Sequence, residues 1–312
     1  MTVIEPTARA VRFDRYGERD VLQVEDIAFP RPAAGEVLVK VKAAAINPGE
    51  ASIRAGALDA VYPTEFPSGE GSDLAGVVLE SGSEVTDFKP GDQVLGFSHA
   101  RSSHATHVVV PAKQLIHKPA ELSWEVAGSL YVAGATAYAA VRAVDVSAGD
   151  TVAVSAAAGG VGSLVIQLLA ARGVTVLAIA SEANHEWLSA HGATPIAYGE
   201  GLEDRLREAA PNGIDAFIDL HSPEYVELAI NLGIAPQKIN TIISFEKAAE
   251  VGAKTKGSAA ASTAEVLEEL AKLAENGDLE ITIAATYPLD EVQDAFAQLE
   301  EGHTRGKIVL IP

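Results

Sequence analysis

Cysteine is absent from all 312 residues. That absence excludes disulfides, thiolate catalysis, iron–sulfur clusters and every zinc site built on cysteine. Basic residues are scarce: 23 Lys and Arg face 43 Asp and Glu, for a formal net charge of −20. So acidic a surface repels nucleic acid and anionic membranes, yet it leaves room for a local phosphate pocket. We read the acidity as a solubility feature, and expect neither a nucleic-acid nor a membrane partner. The N-terminus lacks the apolar core of a secretory signal, because Glu5 and Pro6 interrupt it. Long hydrophobic runs are also missing, with one exception. Residues 151–171 carry no charge, long enough to span a bilayer, but Ser155, Gln167 and the glycines at 159–162 argue for buried soluble core. The cytoplasm is the expected location. No Ser-His-Asp arrangement, paired carboxylates, internal repeat or low-complexity linker is legible.

Residues 151–162, Thr-Val-Ala-Val-Ser-Ala-Ala-Ala-Gly-Gly-Val-Gly, are the most informative. A short β-rich run meets small residues and glycines, and a helical pattern follows over 163–172. Strand, tight turn and helix together set backbone N–H groups and a helix dipole against a diphosphate. Aligned on G-x-G-x-x-G, the run reads Ala157-x-Gly159-x-x-Gly162, with alanine at the first position. A second strand pattern at 174–180 completes a βαβ unit. The alternative is a glycine-rich turn in an α/β protein that binds no nucleotide.

Length predicts about two domains. Residues 1–122 read as short strands, among them 37–42, 76–80 and 107–110, separated by turn signals such as Asn47-Pro48-Gly49 and Lys89-Pro90-Gly91-Asp92. They suggest an antiparallel, barrel-like domain. Ser123 caps a helix-compatible stretch over 126–141. Strands at 151–155, 174–180, 194–198, 214–220 and 239–244 then alternate with helices, which predicts a parallel sheet covered on both faces. After a helix over 264–275, a tail of strand (281–285), helix (from 289) and strand (307–311) has the texture of the first domain. The boundaries are thus 1–122 with 263–312 for one domain and 123–262 for the other.

Seven segments carry a family resemblance: Ala45-Ile46-Asn47-Pro48; residues 67–78, Pro-Ser-Gly-Glu-Gly-Ser-Asp-Leu-Ala-Gly-Val-Val; Pro90-Gly91-Asp92-Gln93-Val94; Ala133-Gly134-Ala135-Thr136-Ala137-Tyr138; Ala156-x-x-Gly159-x-x-Gly162; His191-Gly192-Ala193; and Gly306-Lys307-Ile308-Val309-Leu310. In order and spacing the chain resembles the medium-chain dehydrogenase/reductase superfamily, and within it the zinc-independent quinone oxidoreductase (zeta-crystallin-like) branch. The resemblance covers nearly the whole chain. It implies an α/β protein with a GroES-like, β-rich catalytic domain and a Rossmann, doubly wound parallel-sheet cofactor domain. It also implies a homodimer, joined by pairing of the cofactor sheets, for which Ala253-Lys254-Thr255-Lys256-Gly257 is the candidate edge strand. Alanine is a common first residue of the fingerprint in that branch. Zinc-dependent relatives have Gly-His-Glu where this chain has Gly71-Ser72-Asp73, so Ser72 replaces a metal ligand. If a strand runs through 101–111, His104 and His107 point to opposite faces, and they with His99 make no metal site. No metal is expected.

The expected cofactor is NADP(H). The second strand of the unit ends at Ser181, small and neutral, where NAD enzymes carry an acid for the ribose 2′-hydroxyl; the adjacent Glu182 would favour NAD if it turned inward. By the resemblance a lysine belongs at the Asn184 position and a tyrosine at Tyr198. The cofactor-binding candidates are Asn47, Thr136, Ala157, Gly159, Gly160, Val161, Gly162, Ser181, Asn184, Tyr198, Ile243 and Lys307. By the resemblance Asn47 is the first choice to orient or polarise an acceptor oxygen, with a turn residue before Pro48 as the alternative. Tyr62 is a candidate proton donor. Arg54 reads as solvated surface, Tyr131 as core, and Lys307 as either a cofactor contact or a snorkelling surface lysine. The resulting expectation is an NADPH-dependent enzyme that passes hydride to a small electrophilic carbonyl, a quinone or an α,β-unsaturated carbonyl. An alcohol or aldehyde dehydrogenase of the same fold, or a non-catalytic NADP-binding structural or regulatory protein, are the alternatives.

Overall fold

The computed structural model describes residues 7–302 and 304–312; the leader-peptide argument, which rests on Glu5 and Pro6, lies outside them. The chain begins with β1 (Thr7–Phe13), β2 (Gln23–Ala28), β3 (Glu36–Ala45), α1 (Pro48–Arg54), β4 (Ser68–Gly69), β5 (Asp73–Ser81), β6 (Gln93–Phe97), β7 (His107–Pro111) and β8 (Leu115–His117). It continues through α2 (Trp124–Ala127), α3 (Tyr131–Val144), β9 (Thr151–Val154), α4 (Gly162–Ala170), β10 (Thr175–Ala180), α5 (His185–Ala190), β11 (Ala193–Ala197), α6 (Leu202–Ala209), β12 (Ala216–Asp219), α7 (Pro223–Asn231), β13 (Ile239–Thr241) and α8 (Phe245–Val251). It ends with α9 (Ala264–Glu275), β14 (Ile283–Pro288), α10 (Val292–Glu300) and β15 (Lys307–Ile311). Two compact units result: residues 1–132, 263–275 and 281–312 form one, and 133–262 with 276–280 the other.

The first unit is organised around β3. Val37, Val39, Val41 and the run Ala43–Ala44–Ala45 are all buried, because β3 pairs antiparallel with β5, β7 and β15. The sheet order is β14-β15-β3-β5-β6-β8, and a second, three-stranded sheet runs β2-β1-β4. β15 pairs with β14 in parallel and with β3 antiparallel, so the C-terminal strand lies beside a segment near the N-terminus. The core includes Val11, Phe13, Leu22, Ile46, Phe296, Ile308 and Leu310.

The second unit holds a five-stranded parallel sheet, β11-β10-β9-β12-β13. Apart from Thr151, half-buried at the start of β9, and Asp219, buried at the end of β12, its central strands β9 and β12 are apolar and buried, as a sheet covered on both faces requires. α4 is buried from Gly162 to Leu169, which explains the uncharged run: it passes from a central strand through a tight turn into an enclosed helix.

Three expectations are corrected. The helix placed over 126–141 is two helices, α2 and α3. Gly128 separates them because a Cβ there would meet the Ala43 carbonyl oxygen at 2.4 Å, and Gly128 O accepts the Ala45 amide. The segment 253–257 forms no strand. Lys254 makes one bridge to Asn240 and donates Nζ to Ala143 O at 2.6 Å, while Asn240 Nδ2 and Oδ1 hold the Lys256 backbone. His104 precedes β7 rather than lying on it, so strand alternation does not set its direction.

Phe217 is completely buried in the core of the second unit, among Ala153, Leu177, Ile179 and Val226. Phe217→Ala should lower stability by about 3–5 kcal/mol, measured as the shift in urea midpoint at constant m-value.

Candidate active site

In the first unit the site grows from the junction of β3 and α1. Pro48 is suited to the first helical position, and Glu50, three residues after Asn47, turns back so that its Oε2 accepts the Asn47 backbone N–H at 2.8 Å. Glu50 Oε1 also accepts the Ser72 amide at 2.9 Å. The Asn47 side chain is the hub. Its Nδ2 donates to Glu50 Oε1 at 3.2 Å and to Asp73 Oδ2 at 2.8 Å. Its Oδ1 accepts from Lys307 Nζ at 2.5 Å. The reverse amide orientation would set Oδ1 against two carboxylates and Nδ2 against an ammonium, so charge fixes the assignment. Asp73 Oδ1 accepts the Val132 amide, and Lys307 also donates to Ile46 O at 3.2 Å.

All four side chains are buried. Burial raises the carboxyl groups of Glu50 and Asp73, while bonds from Asn47 and the charge of Lys307 pull them back. Burial lowers the ammonium of Lys307, opposed by Asp73 and Glu50. His104 is enclosed beside them. Its Nε2 donates to Ala45 O at 3.1 Å, Nδ1 has no partner, and burial drops the imidazole to about 4; it is neutral near pH 7.

Two sequence readings are overturned here. Arg54 is 1% exposed, not solvated: its guanidinium bonds Glu70 at 2.9 Å and Glu300 at 3.2 Å and lies 4.4 Å from the Phe296 ring. Burial, then the like charge of Glu50, pushes Glu70 up to about 8 against the pull of Arg54. Lys307 is 5% exposed, so it does not snorkel at the surface. Asn47, the residue expected to orient an acceptor oxygen, lies in this cluster with both of its amide hydrogens taken by carboxylates. Tyr62 lies in the turns after α1, 44% exposed and apart from these hydrogen bonds. Tyr131 is core, stacked on Phe97 at 4.2 Å.

In the second unit, β9 ends at Val154 and the chain turns sharply. Ala156 takes a left-handed φ of 46°, Ala157 N donates to Ile179 O, and Gly159 N to Ala156 O. Gly162 opens α4 where a Cβ would stand 2.2 Å from Ala156 O; only glycine fits. Among the described residues no backbone carbonyl accepts from Gly160, Val161 or Gly162 N–H. These orphan donors at the start of a nine-residue helix fit the diphosphate of a dinucleotide. At the end of β10, Asn184 Nδ2 donates to Ser181 Oγ at 2.9 Å, and Glu182 is exposed. Tyr198 follows β11, half-exposed, on a turn whose carbonyls at 197, 199 and 200 are clamped by Arg205. Ile243 is half-exposed after β13, and Thr136 is buried in α3.

Sequence reasoning missed Glu50, Asp73 and Asp219. The Asn-x-x-Glu spacing of a capping box marks Glu50. A charged residue closing the buried run Ala216-Phe217-Ile218 marks Asp219. Nothing in the sequence marked Asp73 as a partner of Asn47.

Residues 33–120 match the alcohol dehydrogenase GroES-like domain, and residues 191–310 match the zinc-binding dehydrogenase model. The chain is 31% identical to the 2-methylene-furan-3-one reductase of Solanum lycopersicum, over 97% of this chain and 79% of that protein. It is 30% identical to the chloroplastic NADPH-dependent alkenal/one oxidoreductase of Arabidopsis thaliana, over 96% and 78%. Among solved structures, the quinone oxidoreductase from Coxiella burnetii superposes with a TM-score of 0.89 at 33% identity, covering 98% of this chain and 100% of that one.

A zinc ion does not fit the donor set of the first unit. Zinc needs several free lone pairs in tetrahedral array. Here the oxygens of Glu50 and Asp73 already accept N–H groups, an ammonium lies among them, and His104 presents Nε2–H to a carbonyl. Among the described residues no three His, Asp or Glu side chains group so as to hold a metal.

Gly162→Ala should abolish nucleotide-dependent thermal stabilisation and lower the melting temperature of the free protein, since its Cβ meets backbone rather than a movable side chain. A second outcome concerns pH. His104 binds its proton less readily folded, at about 4, than unfolded, at an ordinary value near 6.5. Between those values the unfolded chain holds more protons, so this group's stabilising contribution falls as pH drops from 6.5 to 4. Relative to His104→Gln, wild type should lose about 3 kcal/mol across that window, read from denaturant midpoints at each pH.

Proposed function

Because the chain belongs to the medium-chain dehydrogenase/reductase superfamily, in its quinone oxidoreductase branch, we propose that it reduces quinones or α,β-unsaturated carbonyls with NADPH. The glycine turn between β9 and α4 carries this reading, with three amides left for a diphosphate. When bound, the reduced nicotinamide supplies hydride to an electron-poor carbon. Gly160, Val161 and Gly162 hold the diphosphate through their backbone N–H groups, with Gly159 closing the turn on Ala156 and Ala157 keeping it close to β10. Ser181, Asn184 and Tyr198 offer neutral donors to the 2′-phosphate, and the absence of an inward acid at Ser181 favours NADP over NAD. Thr136 and Ile243 complete the cofactor side.

On the substrate side, Asn47 acts as the anchor. Within the cluster of Asn47, Glu50, Asp73 and Lys307, only the ammonium keeps a hydrogen without an acceptor, since two of its three are bonded. Lys307 therefore supplies the hydrogen bond to the developing oxyanion. Tyr62 is the candidate proton donor, and water serves equally for a quinone product. Catalysis is assigned to the β-rich unit and cofactor binding to the parallel-sheet unit. No helix among the described residues is long and apolar enough to cross a membrane; a cytoplasmic homodimer belongs to the same reading, with a seam other than a strand at 253–257.

Loss of NADPH absorbance against a panel of quinones, enones and saturated aldehydes tests the proposal. Turnover with quinones or enones is expected. Oxidation of alcohols by NADP+ would favour the dehydrogenase alternative, and binding without turnover a non-catalytic role. Lys307→Gln should lower kcat on the order of 100-fold with little change in KM, whereas Asp73→Asn/Lys307→Gln should recover the stability lost in the single variant but not the rate.

A further inference from the structure

Asp219 ends β12 and is fully buried. Five donors converge on it. Oδ1 accepts from Ser155 Oγ at 2.9 Å, His221 N at 2.9 Å and Ser222 N at 3.2 Å. Oδ2 accepts from Thr241 Oγ1 at 2.7 Å and Ser244 Oγ at 3.0 Å. The hydroxyl directions are fixed by their other bonds. Ser155 Oγ accepts the Leu220 amide, and Thr241 Oγ1 accepts the amides of Ile243 and Ser244. The carboxylate accepts from every partner, and none of the five is a cation. In the first unit, by contrast, the buried carboxylates have Lys307 or Arg54 beside them. A charge held only by neutral dipoles is stabilised in place, but its field is not cancelled.

The fold says where that field acts. Ligands of an open parallel sheet bind outside the carboxyl ends of its strands. The diphosphate belongs at the β9–α4 turn and the adenosine ribose at the end of β10. In the order β11-β10-β9-β12-β13, the other half of a dinucleotide then lies over the ends of β12 and β13, where Asp219, Thr241 and Ser244 meet. That half is a nicotinamide, neutral when reduced and positively charged once hydride, a proton with two electrons, has left.

We propose that Asp219 biases the protein toward the oxidised nucleotide, binding NADP+ more tightly relative to NADPH and so making the bound couple a stronger hydride donor. Asp219 is a positioning residue by its hydrogen bonds and an electrostatic one by its uncompensated charge. The inference rests on the nucleotide-binding reading above.

The test titrates the full chain separately with NADP+, by calorimetry, and with NADPH, by its fluorescence. In Asp219→Asn the Kd for NADP+ should rise relative to that for NADPH on the order of tenfold, which for a two-electron couple raises the bound potential by about 30 mV. A merely structural role loosens the loops and weakens both nucleotides alike. Ser244→Ala, which removes one donor and keeps the charge, provides that pattern as a control. His221→Lys adds a cation on an exposed side chain of the same loop without changing the backbone bond to Asp219. It should shift the ratio in the same direction, and it decides the question if Asp219→Asn does not fold. An unchanged NADP+ to NADPH ratio in the folded charge variants overturns the inference. Failure of wild type to bind either nucleotide overturns the functional reading first, and this inference with it.

Discussion

The ammonium of Lys307, held against Asn47 Oδ1, is the interaction on which the first unit depends. It joins positions 260 residues apart. Glu50 and Asp73 are both enclosed, and a buried ion costs several kcal/mol unless a counter-charge and hydrogen bonds offset it. Asn47 supplies the geometry: two amide hydrogens for two carboxylates, and one carbonyl for the ammonium. The chain's return to the N-terminal sheet through β15 is therefore more than apolar strand pairing. It delivers the cation that lets α1 and β5 carry acids into the interior. Removing Lys307 alone would strand two carboxylates, which is why charge-balanced substitutions matter more here than single deletions.

The two units handle buried acids in opposite ways. Glu70 has Arg54 beside it, and Glu50 and Asp73 share Lys307, so a cation offsets part of their charge. Asp219 is held by hydroxyls and amides only. The first arrangement gives rigidity and a fixed donor. The second leaves a standing negative potential at the carboxyl edge of the parallel sheet. Both use short polar side chains at strand ends, where one backbone can reach several partners. Ser155, Asp219, Thr241 and Ser244 close β9, β12 and β13 in turn, tying three neighbouring strand ends to a single carboxylate.

Much of this was legible in the sequence. The turn at 156–162, the parallel alternation after residue 150 and the strand at 307–311 follow from period, small residues and glycine placement, all local signals. What the sequence withheld was pairing across distance. Arg54 looks like a surface residue because its partners, Glu70 and Glu300, are separated from it by 16 and 246 positions. Lys307 sits at the head of a strand, where a lysine is ordinarily exposed. The helix break at Gly128 depends on the approach of β3, and the loss of strand at 253–257 on side-chain capture by Asn240 and Ala143. Asn47 stood out before its proline, but an isolated asparagine offers two hydrogens, and only its neighbours reveal that both are taken.

An ammonium, the donor proposed at Lys307, differs in its chemistry from a metal ion. A zinc ion accepts an electron pair from a carbonyl oxygen and draws charge from the carbon behind it. An ammonium can only lend a hydrogen bond, directional and weaker. A site built on Lys307, as proposed, would polarise its acceptor modestly and would call for an acceptor that arrives electron-poor, with charge that spreads over a conjugated system as hydride adds. Quinones and enones meet that requirement; a simple ketone does not. The donor's strength then matters as much as the acceptor's, and that is the quantity the carboxylate proposed to act at Asp219 would change.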